Sequence, residues 1–473
     1  MFETIKNCFK VKEIRKKIWI TLALLFIFLL GCWIPVPGIN PKVFADSIEN
    51  NTFLDLMSSI TGGSLQNATL FALGISPYIN ASIIVQLLTV GIPALERLSK
   101  QGEDGRKKIA QITRYVAILL AIAQAIGIIL NFGGLLGNNV GVGEDGPAVR
   151  LAFFGFFEDN AAASIVNETT AKVFAGFFLV TVYVAGSMLV MWLGERITDY
   201  GVSNGISLII FVGIISTAGL TIVGKFAEAF GIGEFAGKAN PSVLWEVLGF
   251  VLLTIVEFAA IVAVDLSERR IPVQYAKQVK GRKMYGGQSS VIPIKISGSG
   301  VMPLIFAFAI ISFPSMIISF TADQKAIEGV TEWFSGNSTA WYGQLIYMVV
   351  LILLIFAFSF FYQSMQFNPE DVSKQIQQNG GFIQGIRPGK PTADYLKRIN
   401  NRITLFGAIY LSMVALIPSI LTIVLTATNA ISDTKLLSVF STTGILIVVS
   451  VAMELEKQLE AQLMMKNYKG FLK

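Results

Sequence analysis

The sequence predicts an all-α polytopic membrane protein with ten transmembrane helices, and three observations select that class. Apolar windows long enough to span a bilayer recur from end to end of its 473 residues. Charged residues make up 14% of the chain and hydrophobic ones 53%, with mean hydropathy +0.64, whereas soluble domains carry about 25% charged residues. No soluble-sized stretch separates the windows, so the rule of ~150 residues per domain does not apply. The same composition excludes disorder.

A spanning helix needs roughly 20 apolar residues, because ~1.5 Å per residue must cross a hydrocarbon core of ~30 Å. Such windows lie at 18–36, 75–92, 115–136, 173–193, 206–223, 242–264, 299–320, 341–363, 403–425 and 436–453. The sixth is broken only by Glu246 and Glu257. In the first, Pro35 and Pro37 follow the apolar run without a small-x-small cleavage site, so a spanning helix is expected rather than a cleaved signal peptide.

Ten spans put both termini on one side of the membrane. Of the 37 Lys and Arg residues, 30 fall in 1–17, 94–114, 194–205, 265–298, 364–402 and 456–473. Orientation follows basic residues, so these segments and both termini are expected in the cytoplasm. Cys8 and Cys32 then face opposite sides, and no disulfide joins them. The chain has no histidine, which removes His-dependent catalysis, His metal sites and His proton relays. No metal or cofactor is implied.

Two cytoplasmic connections are patterned. In 265–298, Ile271, Val273 and Tyr275 alternate with polar residues, as do Ile292, Ile294 and Ile296. The basic VKGRKMYGG lies between them, which reads as a hairpin. In 364–402, Asn368 is a candidate N-cap with Pro369 at the first helical position and Glu370 and Asp371 in the first turn, and Gly380 and Gly381 end that short helix. Arg387-Pro388-Gly389-Lys390 then favours a type II turn, with a second helix from Thr392. The basic turns read either as docking surfaces or as solvated loops.

The second segment is anomalous. From Leu56 to Leu95 no residue is charged, too long a stretch for one helix, and its first part, SSITGGSLQNATLFALG, is small and polar. A short helix from about Ser64 to Phe71 would be ~12 Å long and cannot span. It is either re-entrant, which implies a cavity open to the outside, or a helix lying on the surface. Glu257 is the clear ionisable residue within a span, with no intramembrane Lys, Arg or His as partner; it is expected to snorkel or to be hydrogen-bonded. A ten-span secondary transporter with inverted repeats would need polar ligands at mid-depth, and a membrane-embedded enzyme would need a catalytic constellation. Neither is evident.

Five strings carry a family resemblance: GISPYINASIIVQLL (74–88), QGEDGRKKIAQITRY (101–115), GERITDYGVSNGISLIIF (194–211), SERRIPVQYAKQVKGRKMYGGQSSVIPIK (267–295) and NGGFIQGIRPGKPTADYL (379–396). They resemble the SecY family, the central subunits of the bacterial protein-conducting channel, along the whole chain. The resemblance implies a channel in the bacterial cytoplasmic membrane that moves unfolded secretory polypeptides across and releases hydrophobic segments laterally into the bilayer. It implies two inverted, pseudosymmetric halves, 1–223 and 242–455, around an outer hinge at 224–241, with a cytosolic tail at 456–473.

Site residues follow from the same resemblance. A pore ring would comprise Ile79, Ile83, Ile206, Ile210, Ile305 and Ile447, stiff β-branched side chains that seal around a moving chain without binding it. On the residues alone these isoleucines read as lipid or core packing. A plug at about 62–71, including Gly62, Gly63, Ser64, Leu65 and Phe71, would close the outer funnel. Gln86 and Phe313 would line a lateral gate; Gln86 equally suits a generic interhelical bond. Arg269, Arg270, Lys280, Arg282, Lys283, Arg387 and Lys390 would dock the SecA ATPase or the RNA of a translating ribosome. SecE-like and SecG-like small subunits, signal-bearing polypeptides and membrane lipid complete the implied partners. The chain is not expected to be an enzyme. It has no GxxxxGK[ST] motif, so energy must come from a partner.

Overall fold

Among its described residues, a helix falls in each of the ten windows in the computed structural model, which describes residues 8–37, 61–65, 67–99, 101–131, 168–231, 242–275, 278–280, 283–285, 289–296, 302–319, 341–427 and 442–470. Helix α1 (Lys12–Gly31) is followed by α2 (Ser76–Gly91), the short α3 (Pro93–Ser99), α4 (Glu103–Asn131), α5 (Glu168–Tyr200), α6 (Gly205–Phe230) and α7 (Ser242–Asp265). Strands β1 (Glu268–Tyr275), β2 (Gln278–Lys280), β3 (Lys283–Tyr285) and β4 (Ser289–Lys295) come next, then α8 (Met302–Ser319), α9 (Trp341–Gln366) and α10 (Pro369–Gln378). The short strand β5 (Gly381–Ile383), α11 (Lys390–Ala427) and α12 (Thr442–Gly470) complete the chain.

Six of the described helices are long and apolar enough to cross a membrane, and the pair α2 and α3, bent by 105°, brings the number to seven. Pro93 accounts for the bend. Its ring excludes Ile92 from the helical region, and Ile92 is extended, with φ −110° and ψ 115°. Phe177, Leu252 and Leu353 stand outward, as hydrocarbon solvent allows. The chain is a multi-pass membrane protein.

The molecule divides into two compact units, the first gathering Met1–Val247, Ser312–Gln344 and Val451–Lys473, the second Leu248–Ile311 and Leu345–Ser450. In the first unit, the Asn204 side chain accepts from the Ile206 amide and caps α6, and Gly231 ends that helix in the left-handed conformation. Helix α12 continues to Gly470 through the segment expected as a tail. There Leu455, Leu459 and Leu463 pack with Cys8, Val11, Ile14, Ile18 and Val202. Gln462 Nε2 donates to the Val202 carbonyl at 3.2 Å.

In the second unit, the alternating segments pair as read from the sequence. Strand β1 lies between β4 and β5, antiparallel to both, with Ile271 opposite Ile292 and Val273 opposite Ile383. Between them β2 and β3 form a small hairpin, Lys280 opposite Lys283. Ile271, Val273 and Ile294 are buried against Ile376 of α10 and Leu396 of α11, so the sheet has its own apolar core. Strand β5 was not evident in the sequence. Its three residues are too short for a periodic signal, and they pair because Gly381 fits where a Cβ would press on Tyr275 and Ile376. As expected, Asn368 caps α10, accepting from the Glu370 amide at 3.2 Å. Helix α11 begins at Lys390, two residues before the expected Thr392, and its 38 residues make it ~57 Å long.

Candidate functional site

The segment before α2, which the sequence leaves as re-entrant or surface-lying, is buried in the structure. Its form differs from the expected short helix at Ser64–Phe71: the described residues 61–65 and 67–75 make successive turns. The reason lies in the backbone. Gly62, Gly63 and Gly74 have φ of +72°, +77° and +53°, and Ala68 has φ +46°. A right-handed helix cannot pass through such residues. Side chains take over the bonds a helix would have made. Ser64 Oγ donates to the Thr61 carbonyl at 2.7 Å and Thr69 Oγ1 to the Ser64 carbonyl at 3.1 Å. Irregular backbone at membrane depth is tolerated only inside protein or at a water cavity, and Ser64, Leu65, Ala68, Thr69, Phe71, Ala72 and Leu73 are all buried.

Four helices and one extended stretch hold this segment. Leu65, Ala68, Ala72 and Leu73 share a core with Val36, with Ala125 and Ile129 of α4, and with Ala175, Leu179 and Tyr183 of α5. The residues after α1 clip it by backbone: the Val36 amide donates to the Ala68 carbonyl and the Leu70 amide to the Ile34 carbonyl, both at 3.0 Å. Phe71 stacks on Phe28 of α1 with ring centroids 6.0 Å apart. Gly62 approaches α6 at Gly213, where a Cβ on Gly62 would lie 3.3 Å from the Gly213 Cα. Gly213 is one helical turn beyond Ile210, so the segment touches the helix that carries two of the candidate ring residues.

Those residues divide between the units. In the first, Ile83 of α2 and Ile210 of α6 are 1% and 5% exposed, while Ile79 and Ile206, each one turn earlier, are half-buried. Ile206 Cγ1 lies 3.4 Å from where Gly194 of α5 would carry a Cβ, so this side chain packs on a neighbouring helix. In the second unit, Ile305 is half-buried and Ile447 is buried. Gln86 makes an intrahelical bond, its Nε2 donating to Ser82 Oγ at 3.3 Å. Phe313 lies on α8, and its side chain is outside the described residues. Glu257 is buried rather than snorkelling.

The basic turn of the second patterned connection is held by side-chain hydrogen bonds. Arg387 and Lys390 are exposed, and Gly389 has φ +95°, as the third position of a type II turn requires. Ser373 Oγ of α10 donates to the Gly389 carbonyl, and Thr392 Oγ1 donates to the Arg387 carbonyl. In the first connection Arg269 and Arg270 are exposed, and Arg270 pairs with Glu268 at 2.7 Å. Lys280 and Lys283 lie on β2 and β3, and Arg282 is outside the described residues.

Sequence reasoning missed several contacts. Arg114 of α4 pairs with Glu195 of α5 at 2.6 Å, and Gln363 donates to Asn400 in a buried 2.6 Å bond. Ser187 of α5 donates to the Gly74 carbonyl at 3.0 Å. The adjacent Gly186 and Ser187, small residues within an apolar span, were the signal for this last contact, since small residues mark close approach between membrane segments. Among the described residues, no group of three His, Cys, Asp or Glu is placed to hold a metal ion.

Long apolar helices sheltering a buried segment of turns are the features of a channel-type membrane protein. The family model for SecY matches residues 69–455. The protein translocase subunit SecY of Streptomyces galbus is 38% identical over 480 residues, with both chains covered completely. That of Staphylococcus carnosus is 36% identical, covering 100% of this chain and 99% of the relative. The chain belongs to the SecY family. Its fold is that of solved protein-conducting channels. One such channel superposes with TM-score 0.63 at 19% identity, covering 94% of this chain and 92% of the other. The Sec61 channel of a canine ribosome–channel complex does so with TM-score 0.59 at 18% identity, with the same coverage.

Proposed function

We infer that the chain conducts unfolded secretory polypeptides across the bacterial cytoplasmic membrane and releases hydrophobic segments sideways into lipid. One observation carries the reading: a turn-built segment of small and apolar residues buried among α1, α4, α5 and α6. Such a segment has no role in a plain helical bundle. As a plug over an outer funnel it supplies a removable closure, because water can take over its backbone hydrogen bonds at a net cost of only about 1 kcal/mol each.

In this reading Ile79, Ile83, Ile206, Ile210, Ile305 and Ile447 form the dry collar, and Gln86 and Phe313 lie at the lateral gate. The two halves turn about 224–241. Both termini and the basic loops face the cytoplasm, where Arg269, Arg270, Arg387 and Lys390 meet SecA or ribosomal RNA. Support for the ribosome comes from the solved channels, whose descriptions include a canine complex with the ribosome and a yeast Ssh1 complex bound to one. SecE-like and SecG-like subunits complete the assembly.

The test is purification from mild detergent, followed by reconstitution into vesicles with SecA, ATP and a signal-bearing precursor. Co-purification of a small SecE-like helix and protease-protected precursor are expected. Vesicles that protect no precursor, or protect one without a signal equally well, sink the reading.

A further inference from the structure

Two helix glycines meet the buried segment where no side chain fits. A Cβ at Gly186 of α5 would land on the carbonyl oxygen of Leu70, a backbone atom that cannot swing aside. A Cβ at Gly31, the last residue of α1, would land in the ring of Phe71, which is buried and stacked on Phe28. Polar contacts stand beside both glycines. Ser187 donates to Gly74. Cys32 Sγ lies 3.8 Å from the Thr61 carbonyl, which also accepts the Ser64 hydroxyl at 2.7 Å. Not every helix glycine is needed for space: a Cβ at Gly219 of α6 would meet nothing within 4 Å.

We infer that Gly31 and Gly186 are positioning residues that set how firmly the segment stays seated, and so how often the idle channel opens. The inference rests on the reading of residues 61–74 as the closure. Its sign is unusual. Alanine is the better helix former, so a looser closure on Gly186→Ala has to come from the contact with Leu70 and not from the helix.

The test uses the channel reconstituted with its partner subunits and carrying Ser64→Cys. Oxidation then joins this thiol to native Cys32 while the segment is seated, and the yield of disulfide reports occupancy. Gly186→Ala lowers that yield and raises idle ion conductance, about tenfold if the closed–open equilibrium shifts by ~1.4 kcal/mol. Gly219→Ala changes neither. Gly31→Ala acts as Gly186→Ala does and is relieved by Phe71→Leu, a rescue that general misfolding does not give. A channel lacking residues 62–71 separates the two levels of the argument. If it leaks, and Gly186→Ala adds nothing further to it, the seat and the closure both stand. If it leaks while both glycine variants crosslink fully and stay tight, the closure stands and the seat is overturned. If it is tight and selective, the closure reading falls and the seat with it.

Discussion

The Ser373 hydroxyl donates a 2.7 Å hydrogen bond to the Gly389 carbonyl, joining helix α10 to the tip of the exposed basic turn. Ser373 is buried and Arg387 exposed, so a buried residue holds the shape of an exposed loop. Arg387→Glu is expected to weaken SecA-driven transport and ribosome binding while the protein level stays normal. Its guanidinium is suited to paired hydrogen bonds with phosphate or carboxylate. Ser373→Ala removes about 1 kcal/mol from the turn and should give a milder version of the same defect. Unchanged transport and binding in Arg387→Glu would leave that residue a topology signal only.

Orientation is checked by fusion. A reporter after Lys283 or Lys390 is expected in the cytoplasm and one near Asn139 outside. A periplasmic signal at Lys390 would contradict the 30-of-37 division of basic residues.

Ile83→Asn and Ile447→Asn should make the idle channel leak ions and accept clients with defective signal sequences. Apolar constrictions exclude water by dewetting, and an amide offers that water hydrogen bonds. On a lipid-facing position the same exchange would instead cost insertion energy and lower the amount of protein. Conductance and signal-defective export, each normalised to channel amount, distinguish the outcomes. Variants that are merely scarcer, yet tight and selective, would remove these isoleucines from the collar.

Cys8 is fully buried under α12, and burial pushes its thiol pKa up. A raised thiol pKa leaves less thiolate at a given pH, so maleimide should label Cys8 more slowly in the folded protein than in the unfolded one. Because the protonated thiol is the form favoured by folding, its contribution to stability is present below the unfolded pKa and is lost as pH rises through the folded one. Equal labelling rates in the two states would mean that the N-terminal segment is not docked.

Much of this architecture is legible in the residues because its signals are periodic. Among the described residues a helix falls in each of the ten apolar windows, and the alternation at Ile271, Val273 and Ile294 became a sheet with a buried face. The Asn368 cap and the Arg387–Lys390 turn were legible from local backbone chemistry. What was not legible lies where distant segments decide conformation. Ser64–Phe71 reads as a helix by length and composition, but the contacts to Ile34 and Val36 and the left-handed Ala68 depend on chain elsewhere in the fold. Likewise β5 exists because β1 offers an edge, and nothing in Gly381-Phe382-Ile383 announces it. The packing of Ile206 on Gly194 is also beyond any helical-wheel argument, since an i, i+4 pair defines a face without naming its neighbour.

Helix α11 starts at Lys390 and runs to Ala427, so no slack linker separates the basic turn from the membrane. A partner that gripped Arg387 would hold one end of a helical run of 28 residues, Lys390–Ile417, ~42 Å long, before Pro418 interrupts the bonding. The hydroxyl of Thr392, bonded back to the Arg387 carbonyl, stiffens the joint between handle and shaft. Load applied at that handle would reach the bilayer as tilt of that run. A flexible loop of the same charge would recruit the same partner and absorb its pull.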